Sequence, residues 1–243
     1  MKSEYGLQLY SVRDYAEKSY RDMVLSVAYL GYRTIETAGF FGLSAEEVRA
    51  IIDEAGVKLI GTHSSLNDLT EDKIGETIKY HNAIGNKRYI VPGFDHSSRE
   101  KLDAAIAVFN YAYPILKEAG ISLLFHNHSS EFLTTYDGKT VMEILMESTP
   151  IDFEIDTYWS WNAGVDNMTY LRENASRIPM IHLKDGALGG EGFALGEGDV
   201  PLTDIIALAR ELNMDIVVES ETLKPTGIEE VTRCADYLKS LEK

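Results

Sequence analysis

Short apolar runs alternate along the chain with longer segments of helical periodicity. Eight of the runs have the length and the β-branched content of strands, and an amphipathic segment follows each of them. The residues Ser44-Ala45-Glu46-Glu47 have the form of a capping box, which predicts the start of a helix that ends at Gly56. The predicted strands are residues 5–10, 33–37, 57–63, 88–92, 121–128, 151–156, 180–185 and 215–220.

This alternation predicts the fold class. Eight strand–helix units in 243 residues indicate an α/β protein, a single-domain (β/α)8 barrel over residues 1–243, because such a barrel usually needs about 250 residues. The first strand–helix turn, residues 10–14, lacks the glycine pattern of a dinucleotide-binding turn. The glycine-rich segment 186–198 lacks the lysine of a phosphate-binding loop, so it is expected to be a long, mobile loop after strand seven.

Charge and composition narrow the classes of partner. The formal net charge is -16, which argues against nucleic acid and against an anionic membrane surface, since both are bound through Lys and Arg. Cys234 is the only cysteine, so no disulfide framework is expected, and a packing role in the last helix is favoured. No apolar run approaches the ~20 residues that span a bilayer, and residues 1–4 carry no apolar segment, so no signal peptide is expected. A cytoplasmic location is expected.

Ionisable side chains collect at the ends of the last four predicted strands. The stretch FHNHSSEF, residues 125–132, places two histidines and a glutamate directly after an apolar run. Residues two apart on a strand share a face, so each of these strands ends with polar side chains opposite its most apolar face. Gln8, Glu36 and His63 are weaker candidates on the early strands. The candidates on strands five to eight are His126, His128, Glu154, Asp156, His182, Lys184, Glu219 and Glu221.

Carboxylates and imidazoles that meet at one end of a barrel indicate a mononuclear metal site. An oxygen-rich set with one or two histidines favours Mn²⁺, Mg²⁺ or Co²⁺ over a closed structural zinc site, and Mn²⁺ is the first choice, with Zn²⁺ also open. For His182 alone, a hydrogen-bonded interior histidine is an equal alternative, and Glu154 is expected to pair with Lys184 or an arginine. Trp159 follows Asp156 closely and suits either a sugar-binding face or plain loop packing.

Taken together, the strand-end motifs resemble the sugar phosphate isomerase/epimerase-like proteins of the xylose isomerase-like TIM-barrel superfamily. The resemblance runs from residue 6 to about residue 242. It implies a divalent metal held by Glu131, Asp156, His182 and Glu219. The ketose epimerases of this superfamily carry a glutamate ligand at the end of strand five, where this chain has His126. Glu131, five residues later, is the glutamate that the resemblance offers in its place. The motifs that carry the resemblance are GLQLYSVRD (6–14), FHNHSSEF (125–132), EIDTYW (154–159), IHLKD (181–185), LGEGDVP (195–201) and VVESE (217–221).

The chemistry that this resemblance implies is metal-assisted enolisation of a keto sugar or related polyol. His128 and His126 are then the candidates for proton transfer, and Lys184 for stabilising an oxyanion. Gln8, Glu36, His63 and Trp159 are expected to contact the substrate. Reprotonation of the enediolate gives an isomerase or epimerase, which is the first reading.

Loss of a β-substituent from the same enediolate would instead give a lyase or dehydratase that acts on a 3-keto sugar, of the 3-keto-glycoside or inosose type. A non-catalytic sugar-binding or partner subunit, in a homo- or hetero-oligomer, is a third possibility. An abasic-site endonuclease of the same superfamily is disfavoured, because the chain is acidic and has only six histidines for a multi-zinc cluster.

Overall fold

Eight parallel strands close into a barrel in the computed structural model, which describes residues 5–16 and 19–242. Each strand pairs with its neighbours in sequence, and β1 pairs with both β2 and β8, so the sheet has no open edge. The predicted (β/α)8 barrel is therefore confirmed. The strands are β1 (Gly6–Gln8), β2 (Thr34–Ala38), β3 (Lys58–His63), β4 (Arg88–Val91), β5 (Ser122–His126), β6 (Asp152–Asp156), β7 (Met180–Leu183) and β8 (Asp215–Val218).

Five of the strands are shorter than predicted at their carboxyl ends, whereas β2, β3 and β6 reach or pass their predicted ends. β5 ends at His126, β7 at Leu183 and β8 at Val218, two residues before the predicted ends. Beyond the end of β8, Glu219 N still donates to Leu183 O at 3.1 Å, and the next backbone N–H, that of Ser220, donates to the side chain of Ser11 at 3.0 Å. Lys184 and Glu219 lie in these segments, directly beyond the ends of β7 and β8.

Helices cover the outside of the barrel, and their ends follow the sequence signals. Ser44 and Glu47 form the predicted capping box, and Gly56 ends the helix in the left-handed conformation with φ 64°. No helix of the described residues is long and apolar enough to cross a bilayer. The α-helices are α1 (Arg13–Ala16), α2 (Tyr20–Leu30), α3 (Ala45–Ala55), α4 (Ile74–Ala83), α5 (Arg99–Glu118), α6 (Ser130–Leu133), α7 (Val141–Ser148), α8 (Thr157–Asn162), α9 (Asn167–Glu173), α10 (Leu202–Glu211) and α11 (Gly227–Ser240), and the 3-10 helices are Leu9–Val12, Leu66–Leu69 and Ala175–Arg177.

The core has two parts that follow the alternation of side chains along the strands. The larger part lies between the sheet and the helices and includes Phe125, Phe153 and Ile181. A small apolar layer fills the barrel interior and consists of Ile90, Leu124, Met180 and Val217, with Ile60 packed against it. This inner layer is only one side chain deep, so the interior positions nearer the carboxyl ends of the strands are free for polar residues.

The glycine-rich segment after β7, expected to be a long mobile loop, is organised around a buried carboxylate. Asp185–Gly186 pairs in antiparallel fashion with Gly192–Phe193. The Asp185 carboxylate accepts hydrogen bonds from the backbone N–H groups of Gly196 at 2.8 Å and Gly198 at 2.9 Å. The segment therefore folds back over its own start instead of extending away from the barrel.

Candidate active site

A layer of polar side chains lies inside the barrel, above the apolar interior layer. Its members are almost completely buried, and the strand alternation directs them to the interior as the sequence predicted. Seven of the eight strands, or the residues directly after them, supply a side chain to it, and together they bring most of the predicted site residues into contact. These residues are Gln8, Glu36, His63, His126, Glu154, Asp156, His182, Lys184 and Glu219.

Glu154 is the centre of the lower part of this layer. Its Oε2 lies 2.8 Å from His63 Nε2, 3.2 Å from His126 Nδ1 and 3.2 Å from His182 Nε2. Burial alone would raise the pKa of this carboxyl, but the nearby His182 and His63 imidazoles hold that pKa well below its usual range. The expected partner, Lys184 or an arginine, is therefore replaced by three histidines.

Glu36 supports the same imidazoles from the opposite strand. Its Oε1 lies 3.0 Å from both His182 Nε2 and His63 Nε2, and it accepts a hydrogen bond from Gln8 Nε2 at 2.5 Å. Burial opposes a charge on His63, but Glu36 and Glu154 outweigh it and raise its pKa to about 9. Gln8, Glu36 and His63, which the sequence places near the substrate, thus lie in one hydrogen-bonded set that fixes the His182 ring.

Four donor groups converge above this set in a geometry that suits a metal ion. His126, Asp156, His182 and Glu219 each offer one ligand atom, and the four atoms lie within 4.8 Å of one another. His182 Nδ1 and Asp156 Oδ2 are buried and make no hydrogen bond to any other described residue, and the 3.4 Å contact of His182 Nδ1 with Glu219 Oε2 joins two members of the same donor set. Such orphaned polar atoms are unfavourable unless a further group binds them, so the donor set fits a divalent cation.

The second nitrogen of each imidazole in this group is already engaged. Glu154 contacts His126 Nδ1, and Glu36 and Glu154 contact His182 Nε2, which leaves His126 Nε2 and His182 Nδ1 for an ion. A carboxylate on the far nitrogen is the usual support of a metal-bound histidine. Burial, with Glu219 nearby, raises the pKa of Asp156 to about 7, although Lys184 opposes the shift. A second overlapping group, formed by His63, His126, Glu154 and His182, consists of atoms that already pair with one another.

Glu131, which the family resemblance implies as the fourth ligand, lies in α6 outside both groups. Its Oε2 accepts a hydrogen bond from His128 N at 2.8 Å, and its Oε1 lies 3.1 Å from His96 Nε2. Both carboxylate oxygens are therefore occupied in holding the loop after β5. Sequence reasoning missed His96, because it lies in a loop and shares no strand-end position with the other candidates.

Lys184 is a buried cation at the upper edge of the layer. Its Nζ lies 3.4 Å from Glu219 Oε2, pairs with Glu221 Oε1, and stands 4.6 Å above the ring of Trp159. Burial opposes its charge, but the carboxylates of Glu219, Asp156 and Glu221 outweigh burial and raise its pKa. The sequence makes Glu221 a candidate only because it shares a strand face with Glu219. Its ion pair with Lys184 is visible only in the structure.

Trp159 lies beside Lys184 because Asp156 caps the N-terminus of α8, the helix that carries Trp159. Asp156 Oδ1 accepts hydrogen bonds from the backbone N–H groups of Tyr158 and Trp159, both at 2.9 Å. The same carboxylate therefore caps a helix with one oxygen and presents its other oxygen to the proposed ion position. Trp159 Nε1 is buried and has no hydrogen-bond partner among the described residues.

The metal-ligand candidates open into a pocket of about 380 Å³ at the barrel mouth. Three imidazoles line it, those of His63, His126 and His128, and the ring centroids of His126 and His128 are 5.2 Å apart. Burial lowers the pKa of His126 well below its usual value and also lowers that of His128, so both rings are neutral at neutral pH. The pocket is lined by Tyr10, Ala38, His63, Pro92, His126, His128, Glu219 and Glu221.

Comparisons with known proteins agree with this architecture. A sugar phosphate isomerase/epimerase from Parabacteroides distasonis superposes with a TM-score of 0.83 and 24% identity, covering 97% of each chain. A D-allulose 3-epimerase from Methylomonas gives a TM-score of 0.72 and 13% identity, covering 98% of this chain and 97% of that one. A probable 3-DHS dehydratase from Bacillus anthracis gives 0.76 and 14%, covering 98% and 99%.

These structural similarities, all below 25% identity, establish the fold. No curated protein sequence matches the chain. The family described as the xylose isomerase-like TIM barrel matches residues 24–241, which is most of the sequence. The chain therefore belongs to the xylose isomerase-like TIM barrel family.

Proposed function

We propose that the protein is a divalent-metal-dependent isomerase or epimerase that acts on a keto sugar or related polyol through an enediolate. The observation that carries the proposal is the convergence of four donor atoms, from the ends of four adjacent strands, within 4.8 Å of one another. The neutral imidazole of His128 lines the pocket above them. A base beside an electrophilic centre is the minimum that abstraction of a proton next to a carbonyl requires.

The proposed ligands are Asp156, His182, Glu219 and His126, with Mn²⁺ as the first choice and Mg²⁺, Co²⁺ or Zn²⁺ as alternatives. His126 takes the fourth position in place of Glu131, because the Glu131 carboxylate is engaged by His128 N and His96. A divalent cation held there would supply positive charge that acidifies a hydrogen next to a carbonyl and stabilises the resulting enediolate.

The remaining residues supply proton transfer and charge. His128 is neutral and exposed to the pocket, so its imidazole is suited to take the proton from the substrate carbon. Lys184 remains an ammonium group and stabilises negative charge on a substrate oxygen. The indole of Trp159, 4.6 Å below Lys184 Nζ, holds that ammonium in place and offers a flat surface at the rim.

A metal-dependent lyase that eliminates water or an aglycone from a 3-keto sugar is a second candidate. Epimerisation at one carbon by a symmetrical mechanism needs similar acid–base groups on both faces of that carbon. This site offers unlike groups, a neutral imidazole at His128 and an ammonium at Lys184. A base for the hydrogen and an acid for the leaving oxygen form the pair that elimination requires.

Deuterium wash-in tests the proposal and separates the two outcomes. The Mn²⁺-loaded protein is incubated in deuterated buffer with a panel of ketoses and 3-keto-glucosides, and the products are followed by NMR. Label gained in a rearranged sugar supports the isomerase or epimerase, and release of a β-substituent supports the lyase. If neither label nor release appears with any member of the panel, and His128→Ala changes nothing, the protein is a non-catalytic sugar-binding subunit.

The ligand set is tested by metal analysis of purified variants. We expect Asp156→Ala and His126→Ala to weaken Mn²⁺ binding more than about 100-fold, since changes in groups that merely support ligands already weaken it about 10- to 100-fold. Asp152→Ala is the matched control, because Asp152 lies at the far end of the same strand and contacts Arg177. If Glu131→Ala removes the metal and His126→Ala retains it, Glu131 is the fourth ligand.

A further inference from the structure

A second and larger pocket lies beside the barrel mouth and shares one wall with it. Its volume is about 620 Å³, and His63 lines both pockets. The ring of His63 stacks on that of His182, with 5.3 Å between the ring centroids. A single imidazole therefore stands between the proposed metal position and this side pocket.

Aromatic rings form the inner wall of the side pocket. The centroid of Phe40 lies 4.7 Å from that of Tyr80, and the centroid of His81 lies 4.9 Å from that of Tyr89. The hydroxyl groups of the two tyrosines are already used, because Tyr80 donates to Leu43 O at 2.9 Å and Tyr89 to Ser65 O at 2.6 Å. Tyr89 and His81 are buried behind this wall, so Phe40 and Tyr80, which are partly exposed, are the rings that offer surface to a ligand.

The charged groups around the side pocket already have partners. Two carboxylates, Asp68 and Glu76, line it, and they are paired with Lys73 and Lys79. The third ionisable group, His63, which is shared with the barrel mouth, is paired with Glu36 and Glu154. Because no unpaired ion faces the pocket from these groups, its ring faces suit an uncharged aromatic group better than an ion.

The loop after β2 is shaped to complete this wall. Gly39, Phe41 and Gly42 all have φ between 52° and 78°, a left-handed conformation that is unfavourable for a side chain such as that of Phe41. This path turns Phe40 onto Tyr80 and leaves Phe41 about half exposed beside the pocket. Unfavourable backbone of this kind persists at binding sites, where the surrounding structure holds it in place.

We infer that the side pocket binds an uncharged aromatic substituent of the sugar whose keto end occupies the barrel mouth. The inference rests on the proposed function for the position of the sugar, and on the side pocket itself for the aromatic group. The substrate class is accordingly an aryl-substituted keto sugar, with its two parts on either side of His63.

Binding to the full-length, Mn²⁺-loaded protein tests the inference with two unreactive probes, phenyl β-D-glucoside and methyl β-D-glucoside. We expect the phenyl compound to bind at least about tenfold more tightly, since it adds a ring stacked on aromatic side chains. Leu43→Trp fills the pocket and should abolish this preference while leaving metal content unchanged. Leu241→Trp, at an exposed position after α11, is the matched control and should preserve it.

A second pair of variants keeps the test decisive if Leu43→Trp does not fold. Tyr80→Ala removes a ring of the wall and should lower the preference to about threefold or less, while Tyr80→Phe keeps the ring and should retain it. Equal binding of the two glucosides to the wild type, or a preference that survives both Leu43→Trp and Tyr80→Ala, overturns the inference.

The two proposals fail in different ways. If ketoses exchange deuterium but the phenyl group adds no affinity, the side pocket is not a subsite and the proposed function stands. If the phenyl preference is present and sensitive to Leu43→Trp, but no sugar exchanges or eliminates, the subsite stands and the proposed function fails.

Discussion

His81 makes the free energy of unfolding depend on pH, and one substitution can isolate its contribution. The side chain is 4% exposed, and its Nδ1 lies 3.0 Å from Asn86 Nδ2 and 3.4 Å from Thr62 Oγ1. Because the Asn86 amide donates to Nδ1, that nitrogen must be unprotonated. Burial lowers the pKa of His81 from 6.5 to about 4. The folded protein therefore binds this proton less tightly than the unfolded chain.

The sign and the size of the effect follow from the two pKa values. The stability that depends on neutral His81 is present above about pH 6.5 and is lost as the pH falls towards about 4, because the unfolded chain takes the proton first. Between about pH 7.5 and about pH 5, this single group should lower the free energy of unfolding by about 2 kcal/mol. Carboxylates elsewhere add their own pH dependence, so only a comparison with a variant isolates the histidine.

Urea unfolding followed by circular dichroism measures the effect in the wild type and in His81→Gln at several pH values. Glutamine can still accept the Asn86 hydrogen bond but does not titrate, so the loss of stability between about pH 7.5 and about pH 5 should be about 2 kcal/mol smaller in the variant. Parallel pH profiles in the two proteins would refute the reasoning, because His81 would then titrate equally in the folded and unfolded states.

Three further substitutions test other parts of the structure. Gly61→Ala places a Cβ 2.7 Å from Ile90 Cδ1 and 3.1 Å from Glu36 Oε2, so it should displace both side chains and weaken Mn²⁺ binding about tenfold in a metal titration, whereas Gly75→Ala, with no atom within 4 Å, should have no effect. Lys184→Met removes the buried ammonium and should lower turnover at least about 100-fold while the metal is retained; turnover within threefold of wild type would contradict its role. Glu230→Gln weakens the hydrogen bonds that this buried carboxylate accepts from the loop after β8, so hydrogen exchange at residues 220–224 should accelerate, and unchanged protection would argue against that role.

The barrel could be predicted from the sequence because its signal is periodic and local. Strands such as 151–156 alternate apolar and ionisable residues, and that alternation alone places Glu154 and Asp156 on the interior face, as the structure does. The closeness of the strand-end side chains to one another can also be predicted, since the carboxyl ends of the parallel strands meet at one mouth of the barrel. The grouping of Asp156, His182 and Glu219 therefore required no tertiary information.

Hydrogen-bond partners across the barrel could not be predicted in this way. Glu154 contacts His63, which is 91 positions away, and no local pattern distinguishes that pairing from an ion pair with Lys184. The position of Glu131 depends on how the chain turns after β5, where α6 directs its carboxylate towards His96. Loop geometry and long-range pairing decide such contacts, and neither leaves a periodic trace in the sequence.

The three residues of β1 contribute both to closure of the sheet and to support of the site. Gly6–Gln8 joins the edges of β2 and β8, and a Cβ on Gly6 would lie 2.8 Å from Thr34 Oγ1. Gln8, the last of the three, also anchors Glu36 beneath the His182 ring. A chain that starts beyond β1 would therefore expose two unpaired strand edges, which invite aggregation, and would also lose the support of His182, the proposed metal ligand. Closure of the sheet and support of the site thus depend on the same three residues.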